Sequence, residues 1–356
     1  LKIVIYILIF LWCFNSCSPI YVLRAGYTEA RILSSRKDIK EALTEDEIDA
    51  PTKEKLRTIL QVKEFSSELG LTPRGSYSSY SDLKDLPPSY VITAVDSMSL
   101  TPITWWYPIV GSIPYKGYHD KEDAIEEAKE IKLKGYDVSV RDSIAFSTLG
   151  WFDDPVLQTV LKQDISNIII TVLHEIMHST LWIPNHPDFN ETMAEVIGLV
   201  SALEFAKKES PNLEEGIKKR FRYECEVSVL YEDTYQSLNN VFNSGEEKEI
   251  IIEKKEQIYE GLSSKLFELR KSLLNLDPAN NRIETFNNAS FLSSYIYLKE
   301  FTSFIALYLN VDRSSIKLID ALKSMNQENP YQELKKMLGS DMQEGKNLGI
   351  NICNKL

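Results

Sequence analysis

Histidine is scarce in this chain, with four among 356 residues, and there are only four cysteines. The sequence also lacks a basic cluster, an internal repeat, and any apolar run long enough to span a bilayer. Each shortage excludes something. The lack of repeats rules out a solenoid or other repeat array. Cys225 and Cys353 stand alone and far apart, so they are neither a disulfide framework nor a metal cluster. The sequence leaves open whether they form a single bridge in an oxidising compartment. A formal net charge of −12 with no compensating basic patch repels nucleic acid. The acidic residues are spread over helical faces, where they serve solubility. What remains is a chain with 43% hydrophobic and 26% charged residues. That composition is soluble and globular, and the length suffices for a sizeable core in one or two domains.

The N-terminus reads as a targeting segment. Lys2 precedes an uninterrupted apolar run, Ile3–Trp12, which Phe14-Asn15-Ser16-Cys17 follows. The run is too short for a transmembrane helix and fits a signal peptide over residues 1–16. Ser16 before Cys17 resembles a bacterial lipoprotein cleavage box, although a strict box would have Leu in place of Phe14 and a smaller residue in place of Asn15. Lipidation of Cys17 is therefore expected, tethering the protein in the bacterial cell envelope so that it faces the periplasm. An ordinary secretory signal is the alternative. One acyl chain anchors a protein marginally, while several anchor it stably.

Two of the four histidines fall in one stretch, His174-Glu175-Ile176-Met177-His178, the H-E-x-x-H pattern of zinc metallopeptidases. The apolar residues before it (Ile168, Ile169, Ile170, Val172, Leu173) predict a buried helix. Residues four apart share a helix face, so both imidazoles reach one ion. Glu175 lies about 100° round the helix, where a base for a water activated by that ion should stand. A catalytic zinc normally takes three protein ligands. The candidates for the third are Glu191, Glu195, His186 and Asp188. Glu191 is the strongest, because Asp188-Phe189-Asn190-Glu191 looks like the start of a second helix, capped by Asp188 or Asn190. Alternatively Glu191 completes a capping box, and Glu195, one turn on, is either a partner for a ligand histidine or a solvated charge. A metzincin would need Gly at Leu181 and a third His at Pro184, so that class is excluded. A structural zinc site would close with Cys or with four protein ligands.

Along the chain the pattern predicts a helix over 18–43 and a second over 53–69, a hairpin filling residues 17–75. Residues 76–210 read as an α+β catalytic part with a small mixed or antiparallel sheet. Its strands are expected at Tyr90–Val95, Thr104–Val110, Asp137–Val140 and Ala145–Thr148, with a charged helix over Asp120–Lys134 stopped by Gly135. From residue 211 to 356 nearly everything is helical, with predicted helices at 214–242, 247–274, 286–309, 314–325 and 331–338.

Several motifs together resemble a known family. They are Ser76-Tyr77 with Tyr80 and Leu83; Pro108 with Tyr115-Lys116-Gly117-Tyr118; the run Phe146 to Pro155; His174-Glu175 with His178; Phe189-Asn190-Glu191; and Asn287-Asn288-Ala289 with Tyr297. The chain resembles the predicted aminopeptidases of bacterial lipoprotein type, zinc enzymes of the gluzincin kind, over nearly all its length from Cys17. The resemblance implies a zincin-like core, one zinc ion held by His174, His178 and Glu191, Glu175 as base, and a membrane-tethered peptidase. This sequence departs at Glu195, where a neutral residue is expected.

The expected activity is hydrolysis of a peptide substrate, from its N-terminus rather than internally. A zinc endopeptidase and a non-catalytic scaffold or chaperone are the alternatives. Tyr297 is the candidate second donor to the developing oxyanion; beside Tyr295 it also reads as a buried core tyrosine. Asp153 or Asp154 is the candidate carboxylate for the substrate ammonium; before Pro155 both also read as turn caps. The segment Ser143 to Thr148 is the candidate edge strand for an extended peptide.

Overall fold

The computed structural model describes residues 19–81, 83, 89–107, 111–143, 153–274, 282–339 and 353, with side chains from residue 26 on. Cys17 and the apolar run before it, Pro108, and the motif residues Phe146 to Phe152 lie outside the described residues.

Helix α1, Pro19–Ser34, is the first element among the described residues. The predicted continuation to Leu43 does not occur. Instead β1, Arg36–Asp38, pairs antiparallel with β2, Ser79–Ser81, and Ser35 Oγ meets Ser81 Oγ at 2.7 Å. The backbone gains a ladder partner by leaving the helix. Asp38 then caps the short α2, Ile39–Ala42, by accepting from Lys40 N. Helix α3, Ala50–Glu68, starts as its sequence dictates: Asp49 accepts from Thr52 N, and Pro51 sits in the first turn, where its missing N–H costs nothing. Leu56, Ile59, Val62 and Phe65 recur at helical spacing and are buried. Gly70, at φ 82°, closes the helix in the left-handed region.

The main sheet has three antiparallel strands. β3, Ser89–Asp96, lies between β6, Lys116–Tyr118, and β7, Tyr136–Ser143, in register Val91↔Gly117 and Val91↔Arg141. β4, Trp105–Tyr107, and β5, Gly111–Ile113, form a separate hairpin. Helix α4, Lys121–Leu133, capped by Asp120, covers the sheet and closes a small core of Tyr90, Ile92, Ala94, Tyr118, Ala124 and Ile131. Lys116 pairs with Glu127 at 2.7 Å and so ties β6 to that helix. Strand β7 is longer than the four residues predicted, because every residue of β3 has a partner on it.

A short helix α5, Gln158–Leu161, leads into α6, Ile165–Thr180, and α7, Pro187–Glu209. The helical remainder follows: α8, Glu214–Phe242; α9, Lys248–Leu273; α10, Asn288–Tyr295; α11, Phe301–Asn310; α12, Ser315–Ser324; and α13, Pro330–Leu338. The single helix predicted over 286–309 is two, because the chain turns at residues 296–300 and Glu300 takes a left-handed φ of 57°. The larger core runs through all these helices, from Ile39 to Cys353, and contains the fully buried Phe189, Phe205, Phe291 and Phe304. Cys225 on α8 is bonded to Cys353, with Cα atoms 5.8 Å apart. Among the described residues no helix is long and apolar enough to cross a membrane.

Asn287 and Asn288 join the helical part to the sheet. Asn287 caps α10, and its Nδ2 donates to Val138 O at 3.1 Å. Asn288 is fully buried. It donates through Nδ2 to Asp96 O and Ser99 O, through its backbone N–H to Asp137 Oδ2, and accepts from Tyr259 Oη. All of its hydrogen-bonding groups for the sheet and for α9 are thus used, and the turn that carries Tyr297 is fixed relative to β7.

Candidate metal centre

Asp164 caps α6 by accepting from Asn167 N, and from Ile168 to His178 the helix is almost wholly buried. His174 and His178 lie one turn apart on it. Their rings are edge-on at 4.8 Å, and their Nε2 atoms stand 3.1 Å apart. The helix ends at Leu181, which is extended, and the chain reverses into α7. The reversal is held by the fully buried Asn190, which donates through Nδ2 to Ile183 O at 2.8 Å and accepts from Ile183 N at 2.9 Å. The predicted cap does not form. His186 is the N-cap and makes no side-chain cap bond. Asn190 is occupied by Ile183, and Asp188 pairs with Lys299. Pro187 instead sets the first turn.

This reversal brings Glu191 back onto α6. Glu191 Oε2 lies 3.4 Å from His174 Nε2 and 3.4 Å from His178 Nε2. His174, His178 and Glu191 are the one group among the described residues able to hold a metal ion, and all three are buried. A tetrahedral zinc with bonds of about 2.0–2.1 Å has donors roughly 3.3 Å apart, so the three edges of 3.1, 3.4 and 3.4 Å fit that ion. Two imidazoles and one carboxylate leave a fourth position free. His186 is not part of the group.

The helices approach closely at this point because of Gly198. A Cβ there would lie 3.0 Å from Ile170 O and 3.4 Å from His174 Cβ. Sequence reasoning passed over Gly198; its signal is a glycine inside a helical pattern.

Partners surround the three ligands. Glu195 Oε2 lies 3.3 Å from His174 Nδ1 and so orients that ring. Arg220 stands near Glu195 and pairs with Glu224 at 2.6 Å. His178 differs: its Nδ1 is buried without a hydrogen-bond partner among the described residues, and its ring packs edge-on to Trp182 at 5.4 Å. Tyr115 Oη donates to Glu191 Oε1 at 3.2 Å, holding the oxygen that the histidines do not face. Tyr115 stood inside a recognisable motif, but nothing local to it points at Glu191, which is 76 positions away.

The electrostatics follow from this packing. Burial alone would lower the His174 imidazole, yet hydrogen bonds to Glu191 and Glu195 hold it well above the usual histidine range. Burial would raise Glu191, but the two imidazoles hold its carboxyl far below the usual carboxylate range. Burial pushes Glu175 up, against the pull of His174 and His178. Burial also raises Glu224, to about 6.

A cavity of about 540 Å³ opens beside the ligands, lined by His174, Glu175, Glu195, Arg141 and Tyr297 among others. Tyr297 stands 6.1 Å from His174, ring centre to ring centre. Tyr295 faces elsewhere and donates to Glu232 at 2.6 Å. Ser143 lines the cavity too. Asp153 and Asp154 do not. Asp153 is exposed at the surface, and Asp154 is buried, its backbone N–H donating to Ser76 Oγ and its carbonyl accepting from Tyr77 N.

The fold and site together define an α+β protein with, among the described residues, one buried three-residue group able to hold a metal ion beside a cavity. The chain belongs to the family described as "Putative aminopeptidase", whose model matches residues 20–338, and that membership supports peptidase activity. No curated protein and no solved structure matches the chain.

Proposed function

We propose that the protein is a zinc-dependent peptidase, with a zincin-like core, that removes residues from peptide N-termini. The observation that carries this reading is the triangle of His174 Nε2, His178 Nε2 and Glu191 Oε2 at zinc spacing, with Glu175 one residue along in the same cavity. Zinc, when bound, supplies Lewis acidity toward a peptide carbonyl and an attacking water. Glu175 takes the proton from that water and hands it to the leaving amine. Tyr297 donates to the oxygen that gains charge. β7 is an outer strand of the main sheet, and its Arg141–Ser143 end borders the cavity, which supports the alignment of an extended peptide along it. Cys17, acylated, would tether the enzyme to the cell envelope, and mass measurement of the mature N-terminus tests that part alone.

The activity is tested with two substrates, a free-amine amino-acid amide and a blocked, internally quenched peptide. Hydrolysis of the first, lost with chelator and regained with zinc, is expected. Cleavage of the blocked peptide alone makes the protein an endopeptidase. Cleavage of neither, by protein without zinc, makes it a scaffold.

A further inference from the structure

Beside the ligand set stands a cation that no carboxylate among the described residues contacts. Arg141, on β7, lines the cavity that holds His174 and Glu175. Its Nη2 donates to Tyr297 Oη at 3.2 Å, and its Cζ stands 5.4 Å from the centre of the Tyr297 ring. Its Nε is buried without a hydrogen-bond partner among the described residues. No carboxylate lies within ion-pair distance of Arg141 among the described residues. A guanidinium has five donors, and holding one half-buried with a phenol as its acceptor is costly.

Tyr297 is fixed from the other side as well. Thr192 follows Glu191 on α7, and its Oγ1 donates to Ile296 O at 3.0 Å. The residue before Tyr297 is thereby pinned to the helix that carries a metal ligand. Because the phenol oxygen accepts from Arg141, the single O–H proton of Tyr297 is left to donate elsewhere. A charged donor on a hydroxyl oxygen strengthens what that hydroxyl donates in turn.

We infer that Arg141 is a positioning residue that acts through Tyr297: it holds the phenol with its proton free for the reacting carbonyl and polarises that O–H, so the pair forms the oxyanion-stabilising element of the site. This rests on the peptidase reading of the same site. It draws on two elements far apart in sequence, β7 and the turn after α10, which Asn287 and Asn288 lock together.

The test is a double-mutant cycle on the full chain loaded with zinc, using Arg141→Gln, Arg141→Lys, Tyr297→Phe and the double variant Arg141→Gln/Tyr297→Phe. The readouts are kcat and KM on a cleaved peptide, zinc content, and calorimetric affinity for a phosphinic peptide that mimics the tetrahedral intermediate. Tyr297→Phe is expected to lower kcat by about 100-fold, the scale of one lost oxyanion donor, with KM little changed. Arg141→Gln should lower kcat by roughly tenfold in the wild type and by less than about threefold in the Tyr297→Phe background. Phosphinic-peptide affinity should fall in step, and zinc content should stay at one per chain. If Arg141→Gln does not fold, Arg141→Lys serves in the same cycle: its charge stays, its fork is lost, and its deficit should vanish when combined with Tyr297→Phe. Equal losses with and without Tyr297, or a change confined to KM, would overturn the inference and make Arg141 a direct contact for substrate. A wild-type chain that neither holds zinc nor binds the phosphinic peptide sinks the peptidase reading instead.

Discussion

At the scale of residues, the site is a buried cluster of charge, for which a proton and a metal ion would compete. In the metal-free protein, His174 lies between Glu191 and Glu195 and is held well above the usual histidine range. Its charged form stabilises the fold fully below the unfolded histidine value of about 6.5, and that contribution is lost as pH rises through the raised folded value. Glu191 has the opposite sign. Its carboxyl is depressed, so its contribution is present above about 4.5 and is lost only as pH falls through the lower folded value. A metal ion held by His174 would have to displace that proton. The rise in melting temperature on adding zinc is therefore expected to grow from pH 6 toward pH 8, with proton release seen by calorimetry in two buffers; a zinc shift independent of pH would count against His174 as a ligand. Substitutions should separate the roles. Glu191→Ala should lose zinc. Glu195→Gln should weaken zinc binding by about 10–100-fold, as such orienting carboxylates do. Glu175→Gln should keep zinc in equilibrium dialysis while losing hydrolysis by roughly 10²–10⁴-fold.

At the scale of elements, the site depends on how closely α7 lies on α6 and on how firmly the turn after α10 is docked. Gly198→Ala places a methyl against Ile170 O and His174 Cβ in a helix contact that cannot yield by rotating a side chain. It should cost about 1–3 kcal/mol, the usual range for overpacking, and weaken zinc binding; an unchanged melting temperature would mean the helices relax freely. Asn288→Ala removes a fully buried side chain that serves two carbonyls and a tyrosine hydroxyl. A loss of about 3 kcal/mol is expected, since each orphaned buried group costs about 1–3 kcal/mol, and denaturant unfolding would measure it. The two histidines and Glu191 were legible because a one-turn spacing and a helix start are local signals. The capping of α7 was misread because Asn190 is used by Ile183, across a reversal that no local pattern displays. The long helix assumed through residues 34–38 failed for the same kind of reason, a strand partner at Ser79–Ser81. Tyr115, just before β6, and Arg141, on β7, reach the site from the sheet side, and only the fold reveals them there.

At the scale of the whole molecule, one extended core joins the N-terminal helices, the metal-site pair and the helical remainder, and one disulfide ties Cys353 back to α8. Closing so long a loop stabilises the fold by about 4–5 kcal/mol in the chain-entropy picture. Cys225→Ser should therefore lower the melting temperature while leaving zinc content unchanged, because neither cysteine belongs to the ligand set. Loss of zinc in that variant would instead couple the disulfide to the site. The central claim is that His174, His178 and Glu191 hold one zinc on which peptide hydrolysis depends. Its most direct test is elemental analysis of the purified chain alongside hydrolysis of an amino-acid amide before chelation, after chelation and after zinc is restored. One zinc per chain, with activity lost and regained in step, is the expected result. Hydrolysis that persists in chain stripped of metal, or a stoichiometric zinc that survives Glu191→Ala and His178→Ala together, would contradict it.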